Sequence, residues 1–151
     1  MREHIAHARR EVDQARSGTR ALAARFRGVP LPDELENAAD LLRAAGLRVE
    51  LAVDTGAAAA PREALGPVVR ESTTNILKHG GGRFARLRLD REGDQWHYRS
   101  ENDRAADDTA RPGTGIESMT TRVSAAGGTL SALGDGELFT LDARVPDRGR
   151  S

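Results

Sequence analysis

The residue types and spacing best suited to chemistry lie in residues 68–82, VVRESTTNILKHGGG. Glu71, Asn75 and Lys78 stand there at i, i+4 and i+7. On a helix turning about 100° per residue they fall within about 60° of one another. One edge of that helix would then hold a carboxylate, an amide and an ammonium. Leu65, Val68, Val69, Ser72 and Ile76 fall on the neighbouring arc and predict a side turned to a core. Spacing alone fits a solvated polar edge equally well. A second candidate is Gly113-Thr114-Gly115 at the start of a helical pattern. Glycines let a phosphate approach the backbone, and exposed N–H groups with the helix dipole favour negative charge. The motif is weak alone and gains weight from its place, after a polar loop and a strand ending in Asn102-Asp103.

The elements that must position these residues can be read from period and punctuation. Ile5, Ala8, Val12, Ala15, Thr19, Leu22 and Phe26 recur at spacings of three and four. That predicts a heptad seam over residues 2–26 and pairing with a second copy as a homodimer. His4 and His7 fall on this helix as surface residues. Gly28-Val29-Pro30 breaks it. Residues 33–45 resume helical periodicity, and Gly46 is a good stop. Residues 47–53 alternate apolar and polar as a half-buried strand. A low-complexity loop follows, and Pro61 suits the first turn of the motif helix.

Residues 83–90, with Phe84, Leu87 and Leu89 as apolar positions, and residues 96–100 predict an antiparallel hairpin across 91–94. Residues 104–112 read as an exposed loop. Ile116, Met119, Val123 and Ala126 predict a helix ended by Gly127-Gly128. Residues 129–133 and 137–145 make a second hairpin, and 147–151 a polar tail. Helices alternating with antiparallel pairs predict an α+β, two-layer sandwich with the helices on one face of a mixed sheet.

Composition narrows the function classes. The 151 residues carry 23 Lys+Arg against 23 Asp+Glu, so no broad electrostatic attraction to nucleic acid or an anionic membrane exists. The absence of cysteine excludes disulfides and thiol chemistry. No apolar run is long enough for a membrane span or signal peptide, which predicts a cytoplasmic protein.

Taken together, the motifs resemble a known family. Glu71-Ser-Thr-Thr-Asn75-Ile-Leu-Lys78-His79 resembles the N-box of the GHKL (Bergerat-fold) ATPases, and within them sensor histidine kinases of the actinobacterial nitrate-sensor type. Gly113-Thr114-Gly115 and the helix after it resemble their G2 box. Residues 137–141 resemble their closing strand. Ser100-Glu101-Asn102-Asp103 takes the place of their G1 box. The resemblance covers about residues 47–146. The N-terminal 27 residues resemble the second dimerisation helix, with 31–46 as a linker helix and 28–146 as the ATP-binding catalytic domain. Neither His4 nor His7 matches the phosphoacceptor motif.

The resemblance implies ATP and Mg²⁺ as cofactors. Asn75 would hold the Mg²⁺ bridging the phosphates, and Glu71 would orient or deprotonate the attacking group or a metal-bound water. Lys78 and His79 would sit near the phosphates. Gly113, Thr114 and Gly115 would shape the lid, and Asn102 or Asp103 would face the adenine amine. The implied partners are a phosphoacceptor histidine domain and a response regulator. Two departures stand out: the G1 box normally reads Asp-x-Gly, and here it is Asn102-Asp103-Arg104. Two other functions fit the same motifs: an anti-sigma-type serine kinase of this superfamily, and a non-catalytic pseudo-kinase that binds a partner.

Overall fold

The structure is a computed structural model and describes residues 29–104 and 114–147. The expected dimer helix with His4 and His7, most of the expected loop, Gly113 and the tail beyond Asp147 lie outside the described residues.

The first helix, α1 (Leu31–Ala44), starts where Pro32 sits in the first turn, at no cost in hydrogen bonds. Asp33 and Glu34 in that turn complement the helix dipole. Gly46 ends it at φ +97, donating to Arg43 O at 2.9 Å while Leu47 N donates to Leu42 O at 3.1 Å. This pair of bonds satisfies the last carbonyls and turns the chain into β1 (Arg48–Val53).

A short 3₁₀ turn then leads to α2 (Arg62–His79), the helix of the motif. Pro67 lies in its second turn, where only the Glu63 carbonyl loses its intrahelical partner. The helix passes directly into β2 (Gly80–Glu92). The three glycines that follow the motif are thus the first residues of a strand. β2 turns at Gly93-Asp94 into β3 (Gln95–Arg104). After α3 (Thr114–Ala125), β4 (Thr129–Asp135) and β5 (Leu138–Pro146) close the chain as a hairpin.

The five strands order as β1-β2-β3-β5-β4, with β1 parallel to β2 and all other pairs antiparallel. Period-two alternation sorts the residues onto two faces. Ala85, Leu87 and Leu89 of β2, Trp96, Tyr98 and Ser100 of β3, and Leu141, Ala143 and Val145 of β5 are buried under the helices. Leu35 and Leu42 of α1, Leu65, Val68, Val69 and Ile76 of α2, and Met119 and Val123 of α3 meet them. Each such side chain contributes about 1.5–3 kcal/mol of burial. The expected α+β sandwich, helices on one face, is the fold found.

Phe84 departs from its expected place beside Leu87 and Leu89. Residues 84 and 87 have opposite parity, so Phe84 lies on the outer face, half-buried under the Arg86 guanidinium 5.5 Å from its ring. That outer face is a lattice of ion pairs. Glu50 meets Arg86 at 3.1 Å, Arg88 meets Asp90 at 2.6 Å, and Asp142 meets His97 at 2.7 Å and Arg99 at 3.6 Å. The Arg144 guanidinium holds the exposed Glu92 carboxyl below its ordinary range. Pairs of this kind keep a face soluble more than they stabilise it. Among the described residues no helix is long and apolar enough to cross a membrane.

One polar contact is buried between the layers. Tyr98 OH lies 2.7 Å from Ser72 Oγ, which also bonds Val69 O at 2.9 Å. Burial pushes the Tyr98 phenol up to about 12 from an ordinary 10, against the opposing effect of bonds to Ser72 and Ser100. The unfolded chain therefore loses this proton first as pH rises. The contribution is fully present below about pH 10 and declines as pH climbs towards about 12. Urea denaturation at stepped pH should show stability falling by about 1.4 kcal/mol per unit through that window from this group. Tyr98→Phe should lower stability by about 1 kcal/mol at pH 7 and flatten the alkaline decline. An unchanged alkaline slope in Tyr98→Phe would refute the assignment.

Candidate functional site

The rotation of α2 about its axis decides what its polar edge can reach. Ser72 bonded to Tyr98 turns one side of the helix onto β3, and Leu65, Val68, Val69 and Ile76 are buried beside it. Glu71 and Asn75 are half-buried on the adjoining edge, and Lys78 and His79 stand exposed in the last turn. The sequence pattern of core arc and polar edge is thus the arrangement in space.

Glu71 and Gly115 come together although 44 positions apart in the chain. A Cβ added to Gly115 would lie 2.8 Å from the Glu71 carboxyl carbon and 3.2 Å from its Cγ. The carboxylate therefore rests on the first turn of α3, where the helix dipole favours negative charge. Thr114 opens that helix.

At the far end of α2, Gly80 brings the chain against β3. A Cβ there would lie 3.1 Å from Asn102 Nδ2. Asn102 is 3% exposed, and its Nδ2 donates to Asp103 O at 2.8 Å. One amide hydrogen is thereby engaged, while Oδ1 keeps its acceptor character. Asn102 shares the inner face with Trp96, Tyr98 and Ser100.

Asp103, one residue on, points to the other side and is engaged by backbone. Its carboxylate accepts from Arg83 N at 3.1 and 3.2 Å and from Phe84 N at 3.0 Å. These bonds hold the irregular stretch of β2 between Gly80 and Ala85, where the register with β3 shifts. Gly81 is needed beside it, since a Cβ there would meet the Asp103 carboxylate and lie 2.9 Å from Arg104 O. Gly82 has φ +79, a conformation that favours glycine. The triple glycine and Asp103 thus form one bulge clamp. Sequence reading missed it because its two halves lie some twenty residues apart.

The structure therefore brings Glu71 against Gly115 and Asn102 beside Gly80 at the end of α2, with Asn75 half-buried and Lys78 and His79 exposed on the stretch of α2 between. It sets Asp103 apart from them. Among the described residues no group of three or more His, Cys, Asp or Glu could hold a metal. The donors present are the Glu71 carboxylate and the Asn75 amide, which suit Mg²⁺, a hard cation that keeps several waters and shares phosphate oxygens. An open groove of about 460 Å³ lies on the outer face of the sheet, lined by Glu50, Arg86, Arg88, Arg99 and Glu101. Its charges pair with one another or with Asp90 and Asp142, so it belongs to the ion-pair lattice and is remote from these residues.

No family model and no curated protein matches the chain. Solved structures do. The Acinetobacter baumannii histidine kinase AdeS superposes with TM-score 0.60 at 17% identity, over 78% of this chain and 63% of that one. The catalytic domain of the histidine kinase ThkA, nucleotide-free, superposes with TM-score 0.63 at 11% identity, over 79% of this chain and 94% of that domain. Full-length ShkA in complex with AMPPNP gives TM-score 0.58 at 16% identity, over 78% of this chain and 30% of that one. The chain thus spans under two thirds of AdeS and under one third of ShkA, but nearly all of the ThkA domain. At these identities the likeness establishes the fold: that of histidine kinase catalytic domains.

Two substitutions probe the geometry. Gly115→Ala improves helix propensity, and its Cβ would displace the flexible Glu71 side chain rather than backbone, so stability in urea denaturation should change by less than about 1 kcal/mol. A loss above about 2 kcal/mol would show that Glu71 cannot move aside. Asp103→Ala leaves the N–H groups of Arg83 and Phe84 without their acceptor. It should cost about 1–3 kcal/mol, whereas a change below about 0.5 kcal/mol, the usual surface value, would rule out the clamp.

Proposed function

We propose that this chain is the ATP-binding catalytic domain of a two-component sensor histidine kinase of the nitrate-sensor-like, GHKL type. It binds Mg-ATP and transfers the phosphoryl group to a histidine on another domain or chain, for relay to a response regulator. The observation that supports this reading is the seating of Glu71 on Gly115 and of Asn102 beside Gly80, with the half-buried Asn75 on the stretch of α2 between them. It occurs in a fold shared with kinases, one of which is known with AMPPNP bound.

Asn75 supplies the protein oxygen for Mg²⁺, and the ion neutralises charge on the phosphates when bound. Glu71, held at the start of α3, orients or deprotonates the attacking group. Lys78 and His79 face the phosphates from the last turn of α2. Gly113, Thr114 and Gly115 shape the lid. Asn102 accepts from the adenine amine through Oδ1, and its place on the inner face supports that role over Asp103, whose carboxylate holds the β2 bulge. The domain works in the cytoplasm and pairs as a homodimer through residues 1–27.

The altered G1 segment supports a second reading, a pseudo-kinase that binds a partner without turnover. Calorimetric titration with a non-hydrolysable ATP analogue, with and without Mg²⁺, separates the two. Mg-dependent binding is expected. Asn75→Ala should abolish the Mg-dependent part, about tenfold or more in affinity, while its thermal unfolding stays within a few degrees of wild type. Binding that Asn75→Ala leaves intact would remove Asn75 from the metal site. No binding at millimolar analogue would favour the pseudo-kinase.

A further inference from the structure

Arg104 ends β3 on the same face as Asn102, two positions on in the period-two alternation. Its backbone N donates to Glu137 O at 2.7 Å, which ties the strand end to the β4–β5 hairpin. Its side chain crosses β5 and comes to rest on Gly134 of β4. A Cβ added to Gly134 would lie 2.9 Å from Nη1, 3.0 Å from Cζ and 3.4 Å from Nε. Three guanidinium atoms nearly equidistant from one point above the strand mean that the group lies flat on the sheet. Any side chain at 134 would displace it. The other flat side of the guanidinium therefore faces away from the sheet, on the side where the helices pack.

Gly134 pairs with Phe139, and Phe139 pairs with Asn102. The three positions form one cross-strand row on the inner face. Two strand spacings separate Gly134 from Asn102, about 10 Å. A planar cation and an amide acceptor thus bracket a half-buried aromatic floor, at a span that a purine nucleoside bridges.

We propose that Arg104 is a base-stacking residue of the nucleotide site, its guanidinium packing on the purine ring whose amine Asn102 accepts. This deepens the nucleotide reading above and rests on it. A guanidinium is planar, delocalised and weakly hydrated, so it stacks on a base where an ammonium does not. In the segment that resembles the G1 box the third residue is ordinarily glycine. Arg104 replaces that open backbone with a wall, and Gly134 makes room for it.

The test is titration of the full chain with a Mg-bound non-hydrolysable ATP analogue. Arg104→Ala and Arg104→Lys should each weaken binding about tenfold. Gly134→Ala should weaken it comparably by lifting the guanidinium off the strand, and it serves where Arg104→Ala fails to fold. Thermal unfolding of each variant reports the fold. Wild-type affinity in Arg104→Lys would mean a point charge on the phosphates and would overturn stacking. Unchanged affinity in Arg104→Ala and Gly134→Ala would also overturn it, while leaving the nucleotide site in place. A wild-type chain that binds no analogue would remove both readings together.

Discussion

The bond between Ser72 and Tyr98 is the constraint on which the candidate site depends. Both hydroxyls are buried between the helix layer and the sheet, at 2% and 0% exposure. A buried hydroxyl without a partner costs more than a satisfied one returns, so the pair selects a geometry more than it adds stability. Apolar contacts alone tolerate small rotations of a helix over a sheet. A hydrogen bond at 2.7 Å does not. Because each residue of α2 turns the helix by about 100°, fixing Ser72 fixes Glu71 and Asn75 as well.

Charged side chains seated on glycines make up the remainder of the site's frame. Glu71 rests on Gly115, the Asp103 carboxylate on Gly81, and the Arg104 guanidinium on Gly134. In each case a residue from one element occupies the volume that a Cβ on another would fill. None of these three glycines has the positive φ of a turn. They are places of close approach, and together they join α2 to α3, β3 to the start of β2, and β3 to the β4–β5 hairpin. Sequence alone does not distinguish such a glycine from one that makes a turn or ends a helix.

What was legible in the sequence was local and periodic. The 3.6-residue arc of Leu65, Val68, Val69 and Ile76 and the two-residue alternation of Trp96, Tyr98 and Ser100 gave the right faces, and with them the two-layer sandwich. The same alternation already placed Asn102 rather than Asp103 on the inner face, had the parity been carried two residues past Ser100. Phe84 went to the wrong face for the same reason, since it was grouped with Leu87 and Leu89 without counting. The contacts Asp103–Arg83, Glu71–Gly115 and Arg104–Gly134 were not legible. They join residues 20 to 44 positions apart through the register of strands and the packing of helices, and one chain without its fold carries no record of either.

Zero net charge hides a strong segregation by face. The outer side of the sheet neutralises itself in pairs such as Glu50 with Arg86. The edge of α2 carries a mixed local field: Lys78 at one end, the Glu71 carboxylate in the middle, and the N-terminus of α3 beside it. A polyphosphate drawn to the cation and the helix end must also approach Glu71. Two unit negative charges about 4 Å apart repel by about 4 kcal/mol at an effective dielectric near 20. A divalent cation between them reverses that sign. Under the proposed function, dependence on Mg²⁺ follows from the position of Glu71 as much as from the ligand chemistry of Asn75. On that reading, the carboxylate that rests on the first turn of α3 is the group that would make the metal necessary.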